Sequence, residues 1–508
     1  MGYPPPTVRP PSAERVADLA DRFHMDLSPD ELAVLAEGVA DTVESYERLE
    51  SLGPGRAQTL DGPERAPGFR PDDETDPLNA FITRCQVSGS DTGPLAGLDI
   101  GIKDNIAVAG VEMTAASRML EGYIPRRDAT AVARLLEAGA TVVGKLNMDN
   151  LAVGGSGELS AFGPVLNPRD PERLAGGSSG GSAAAVVAGD VDVALGTDQG
   201  GSIRSPAALC GCVGLKPTYG LVPYTGGLSL AVSVDHIGPL AMSVEPVART
   251  LETIAGPDPE DPRARDVQTA PYTDALGVDP SELTIGILDQ GFNDEVTESV
   301  TETVHEALDA IADAGATVRT VSVPLHDDAM AIWRGIVLEG AAATLESDGI
   351  GRFHQGGYDE FLAEAYGRGR RVAADDMPVT LKMLALSGAH LSDSARSRYY
   401  ARAQTLRGDL RAAYTAALAD VDVLAMPTRR DVAIEHREDL SLAELLDRGR
   451  AGFRNRAAFN VTGHPAVSVP AGHVDDLPVG LEFVGKHFDD GTVLAAAEVV
   501  ERTIDWAS

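Results

Sequence analysis

One run of small residues constrains this 508-residue chain more than any other feature: Gly176-Gly177-Ser178-Ser179-Gly180-Gly181-Ser182. Gly/Ser runs between polar segments act as flexible linkers, but this one leads directly into AAAVVAG and then the strand-like VDVALGT. A second Gly-Gly-Ser closes that strand at residues 200–202. Two such corners bracketing one helix–strand unit bring two serine hydroxyls and several backbone N–H groups together. Glycine permits the positive-φ turns that aim consecutive N–H groups at an anion. A serine beside such donors is what acyl transfer needs, a nucleophile next to an oxyanion hole. A purely structural turn is the competing reading at this level.

Other motifs fare worse on context. Gly176-Gly177-Ser178-Ser179-Gly180 matches G-x-S-x-G in letters, but that elbow needs a strand immediately before it, and NPRDPERLAGG is a proline-broken loop. Gly139 to Leu146 resembles a phosphate-binding P-loop without its final Ser/Thr, and its lysine lies at a strand end where no helix opens. The ten histidines include no H-E-x-x-H pair. Cys85, Cys210 and Cys212 make no disulfide framework, and Cys210/Cys212 sit in an apolar stretch as small hydrophobes.

The chain is organised as a helical appendage followed by a larger body. Residues 1–12 are Pro-rich and read as extended. Helical spacing recurs from Ser12 to about Leu52, with Ser28-Pro29-Asp30-Glu31 as a helix start. Residues 53–77, rich in Gly, Pro and Asp, read as a linker, so the expected division is an extension over 1–75 and a catalytic domain over 76–508. In the body, strands are expected at 97–104, 141–146, 283–290 and 317–325. Helices are expected at 130–140 and up to Ala314. Such alternation predicts an α/β fold with a largely parallel or mixed sheet.

Acidic residues outnumber basic ones 77 to 42, a formal charge of −35, and only 5 of the 42 are lysines. That balance argues against nucleic acid or an anionic membrane as partner. It resembles adaptation to a salty cytoplasm, where screening removes self-repulsion. The basic cluster Arg368, Arg370, Arg371 follows an acidic helix and reads as its C-terminus. No apolar h-region opens the chain and no run reaches membrane-spanning length. A cytoplasmic protein is expected.

The stretch Gly176–Gly220 resembles the amidase signature, GGSSGGS…GTDxGGSIRxPAxxCGxxGLKPT. Similarity extends to GIKDNIAVAG (101–110), RDATAVARLLEAGATVVGKLNMD (127–149), DVLAMPT (422–428) and FNVTGHPAVSVPAG (459–472), covering roughly residues 75 to 505. The resemblance implies an α/β/α core with a large mixed sheet and amide hydrolysis by a Ser–cis-Ser–Lys triad, with no cofactor or metal. Carried over by position, Lys103 is the base, Ser178 the bridging serine after a cis peptide, and Ser202 the nucleophile. The backbone N–H groups of Gln199, Gly200, Gly201 and Ser202 form the oxyanion hole. Asp198 and Arg204 form a supporting ion pair, and Ser179 is a helix cap or a neighbour of the site, with Ser182 also a cap.

Within the family, the helical extension, Gln199 and GLVPYTGGLS (220–229) resemble amidases found beside nitrile hydratases. That similarity implies a small-molecule carboxamide substrate and a homodimer to which the N-terminal helices contribute. The alternative is the glutamine-hydrolysing subunit of a tRNA-dependent amidotransferase. After MPT the chain departs from the family with RRDVAIEHRED, where the substrate entrance is expected. Trp333 is either a pocket residue or a core anchor. A lysine base must be neutral, yet at an ordinary pKa of about 10.4 roughly one in 2,500 is neutral at pH 7. Lys103 is therefore expected to be buried, bonded to Ser178, with Asp104 pointing away from it.

Overall fold

The computed structural model describes residues 9–52, 65–351, 357–450 and 453–506. Two compact units partition the chain, Met1–Asp61 and Gly62–Ser508. The first contains the helices Ala13–Arg22 and Pro29–Leu52. The second of these helices starts where expected and is closed by a reciprocal cap: the Glu31 carboxylate accepts from the Ser28 N–H at 2.8 Å, and Ser28 Oγ accepts from the Glu31 N–H at 3.3 Å. Residues 1–8 of the Pro-rich start and 53–64 of the expected linker lie outside the described residues. The remainder of that linker is ordered within the larger unit. Arg65 pairs with Asp128 at 2.6 Å, and Phe69 exchanges backbone hydrogen bonds with Arg84.

The larger unit is built on one mixed sheet of eleven strands. In chain order they are β1 (Phe81–Ser88), β2 (Asp99–Lys103), β3 (Thr141–Leu146), β4 (Val193–Asp198), β5 (Val213–Lys216), β6 (His236–Ala241), β7 (Thr284–Leu288), β8 (Thr317–Val321), β9 (Val423–Pro427), β10 (Ala466–Val474) and β11 (Leu477–Val484). Across the sheet they run β1-β3-β2-β4-β6-β5-β10-β11-β9-β7-β8. Two parallel blocks, β3-β2-β4 and β9-β7-β8, flank an antiparallel centre. Every strand of the parallel blocks except β9 falls in a segment whose strand–helix alternation is visible in sequence. β8 stops at Val321, and Pro324 begins a 3-10 turn there, since proline cannot donate to a ladder.

Helices cover both faces. One face carries Gly180–Ala188 and Arg204–Cys210, packed over Ala194, Leu240 and Phe81, with Cys210 and Cys212 buried among them. The small alanines of AAAVVA let the first of these lie close to the sheet. No helix among the described residues is long and apolar enough to cross a membrane. The C-terminal ends of β2 and β4, adjacent and parallel, deliver Lys103 and Asp198 to one place, where α/β sheets collect functional groups.

Candidate active site

Lys103 ends β2 fully buried. Its Nζ lies 2.8 Å from Ser178 Oγ, 2.8 Å from Thr197 Oγ1 and 3.2 Å from the Thr197 carbonyl. A neutral amine fits this set: two hydrogens for the two Thr197 oxygens, and a lone pair for the Ser178 hydroxyl. Burial pulls the Lys103 pKa down to about 7, against the opposing pull of Asp149 and Asp198. Asp104 does turn away. One of its oxygens pairs with Lys145 at 2.9 Å, and the other accepts from the Thr114 N–H and hydroxyl at 2.9 and 2.5 Å.

The Gly177–Ser178 peptide is cis. Gly177 has no room for a side chain, because a Cβ there would stand 2.0 Å from Asp149 Oδ2. Asp149 in turn accepts from the N–H groups of Leu159 and Gly157 and donates its own N–H to the Ser178 carbonyl. Burial raises the Asp149 carboxyl to about 6.

Ser202 lies in the loop after β4. Its hydroxyl is hydrogen-bonded to no described residue. The link to the lysine–serine pair runs through backbone, with the Ser179 N–H donating to the Ser202 carbonyl at 3.1 Å. Neither Ser179 nor Ser182 caps its helix. Their hydroxyls donate to the carbonyls of Thr197 and Leu195, because this helix N-terminus is buried against β4.

The loop 199–202 departs from the expected oxyanion hole at one position. The Gly201 N–H donates to Asp198 Oδ1 at 2.6 Å, so it is occupied. The N–H groups of Gln199, Gly200 and Ser202 have no acceptor among the described residues. Gly201 adopts φ +109°, and a Cβ there would fall 2.1 Å from Arg456 Nε.

Beneath the loop lies a buried charge network. Arg204 bridges Asp198, at 3.1 Å, and Glu482, and also reaches Asn460 Oδ1 at 2.8 Å. Burial by itself raises the Asp198 carboxyl, but Arg204 outweighs it and holds that carboxyl well below the ordinary range. Thr197, Asp149, Asn460, Glu482 and Arg456 were missed from sequence. Each lies in a stretch of family resemblance or beside one, but nothing local marks it as part of the site.

A cavity of about 290 Å³ opens on Gln199, Gly200 and Ser202. Trp333 belongs to it: its indole N–H donates to the Gln199 carbonyl at 2.8 Å, and its ring stacks on Phe453 at 5.6 Å. Of the charged run after MPT, none lines this cavity. Arg429 is buried instead, paired with Asp431 and donating to Ser205 Oγ on the helix that follows Ser202.

A buried lysine beside a serine, a second serine on a loop of free N–H groups, and a mixed sheet delivering them define a class, and comparison bears this out. The Amidase family model matches residues 79–494, and the chain belongs to that family. Over 507 residues it is 39% identical to an enantioselective amidase of Rhodococcus rhodochrous, covering 97% of this chain and 95% of the relative. It is 42% identical over 427 residues to a glutamyl-tRNA(Gln) amidotransferase subunit from Halobacterium salinarum, covering 84% of this chain and all of the relative. The crystal structure of the corresponding subunit from Thermotoga maritima superposes with a TM-score of 0.72 at 34% identity, over 85% of this chain and 89% of that one.

Proposed function

We propose that this amidase-family hydrolase cleaves small carboxamides to carboxylate and ammonia through an acyl-enzyme on Ser202. The observation that carries the reading is the fully buried Lys103, 2.8 Å from Ser178 and free of any carboxylate contact. Neutral Lys103 takes the Ser178 proton as Ser178 takes that of Ser202, and Ser202 Oγ attacks the amide carbon. The Ser202–Ser178 hydrogen bond this needs, open here, forms with substrate bound, as catalytic contacts commonly do. The negative oxygen is held by the N–H groups of Gln199, Gly200 and Ser202, each donor contributing about 3 kcal/mol. The C–N bond breaks as Lys103 returns the proton through Ser178 to departing ammonia. Water then cleaves the ester by the same relay. No step draws on a cofactor or metal.

The second reading, a glutamine-hydrolysing subunit working with protein partners, has the 42% identity to the Halobacterium subunit in its favour. Two observations favour the free amidase. The match to the Rhodococcus enzyme takes in nearly the whole chain, whereas the Halobacterium subunit is used up in 427 residues. The cavity lining also holds no aspartate or glutamate among the described residues, so the α-ammonium of glutamine meets no counter-charge. We assign the enzyme to the cytoplasm and to a homodimer on the same reading. Ammonia release by the purified chain from acetamide, benzamide, hexanamide and glutamine tests it. Turnover of simple amides without other proteins added is expected; activity on glutamine alone contradicts it.

A further inference from the structure

The cavity has apolar walls and a cationic mouth. From the helix Ala329–Glu346 it takes Met330, Trp333, Arg334, Val337 and Leu338, the i, i+3, i+4, i+7, i+8 face of one helix. The helix Val379–Ala395 adds Met383 and Leu384 opposite. Among these lining groups stand two exposed arginines, Arg334 and Arg450.

Neither arginine has a hydrogen bond or ion pair among the described residues. Acids outnumber bases 77 to 42 in this chain, yet none pairs with either of these two cavity-lining arginines among the described residues. Other arginines near the cavity are tied down: Arg448 holds Glu158, and Arg454 holds Glu295 and Asp327. Along its own helix Arg334 has Met330 and Leu338 at four residues' distance and Ala331 and Val337 at three, so no acid stands within a turn. Asp447 lies one turn before Arg450 yet makes no ion pair with it. A guanidinium is always charged and offers a planar fork matched to a carboxylate.

We propose that the cavity selects amides whose acyl part is an apolar body, aromatic or alkyl, ending in a carboxylate, with Arg334 and Arg450 receiving that carboxylate at the mouth. The inference rests on the amidase reading above and specifies its substrate class. A body of −35 formal charge repels an anionic substrate at long range. Two unneutralised guanidiniums at the entrance reverse that locally. Contact pairing also persists in salt that screens longer-range attraction. A cationic amide meets no acid in the lining among the described residues.

The test uses the full chain with 4-(carboxymethyl)benzamide, neutral 4-propylbenzamide and cationic 4-(aminomethyl)benzamide at one fixed KCl concentration, the methylene insulating the amide electronically. We expect kcat/KM for the anionic amide to exceed that for the neutral one at least tenfold, and the cationic one to be poorest. In Arg334→Gln and Arg450→Gln the anionic-to-neutral ratio falls at least fivefold, through KM rather than kcat, and Arg334→Lys retains part of the preference. A wild-type ratio within threefold of one, or a ratio untouched in both glutamine variants, overturns the inference while leaving the amidase reading intact. Failure to release ammonia from any of the three amides and from the simple amide panel overturns the amidase reading, and the inference falls with it.

Discussion

At Lys103, the base of the proposed relay, burial changes the proton affinity of a commonplace side chain. An exposed lysine stays protonated until about pH 10.4; this one, stripped of water, loses its proton near pH 7. The sign of the pH dependence follows. Below pH 7 Nζ is an ammonium and cannot accept a proton, and above it the amine is free. The acylation rate with a neutral amide is expected to fall about tenfold per unit below pH 7 and to level off above it. A profile still rising steeply to pH 10 would contradict this assignment. Trp333 acts at the same scale, holding the Gln199 carbonyl through its N–H while its ring forms cavity wall. Trp333→Phe keeps an aromatic ring, though a smaller one, and removes the donor. We expect kcat/KM to drop about tenfold with little change in thermal unfolding; a large loss of stability with unchanged substrate ranking would make it a core anchor instead.

At the scale of elements, the loop carrying Ser202 is held from below by charge. Arg204 sits between Asp198 and Glu482, all three fully buried, and Asp198 also takes the N–H groups of Gly201 and Ile203. Removing one member of such a network strands the others, at a cost of about 3–5 kcal/mol. Arg204→Met is therefore expected to lower the urea midpoint sharply, and a shift equivalent to less than about 1 kcal/mol would show that the loop is held otherwise. Much of this region was legible beforehand. The Gly-Gly-Ser corners placed Ser178 and Ser202, and the alternation through 97–146 placed β2, β3 and the helix between them. The antiparallel centre was not legible. β5, β6 and β11 are buried on both faces, so their residues show no alternation that would name a neighbour. Glu482 and Asn460 reach Arg204 from more than 250 residues away. The occupied Gly201 N–H depends on how Asp198 folds back on its own loop, which spacing alone does not reveal.

At the scale of the molecule, two features lie outside the site. The helix Pro29–Leu52 exposes Val34, Leu35, Val39, Leu49 and Leu52, and exposed apolar side chains grouped on one element mark an interaction surface. About 40 residues bury too little to fold alone. Deleting residues 1–75 is expected to convert the proposed homodimer to a monomer in sedimentation, or to reduce stability; an active deletion product of unchanged oligomeric state would contradict that. The charge of −35 is the second feature. Raising KCl from 0.1 M to 2 M shortens the Debye length from about 10 Å to below 3 Å, so the unfolding temperature should climb with salt. A flat response would remove the halophile reading.

The central claim is that Lys103, through Ser178, activates Ser202, and single-turnover acylation with a neutral amide tests it most directly. Lys103→Ala should slow acylation by several orders of magnitude while the far-ultraviolet circular dichroism stays native. Lys103→Arg should not restore the rate, because a guanidinium keeps its proton. Acylation within tenfold of the wild-type rate in either variant would contradict the account.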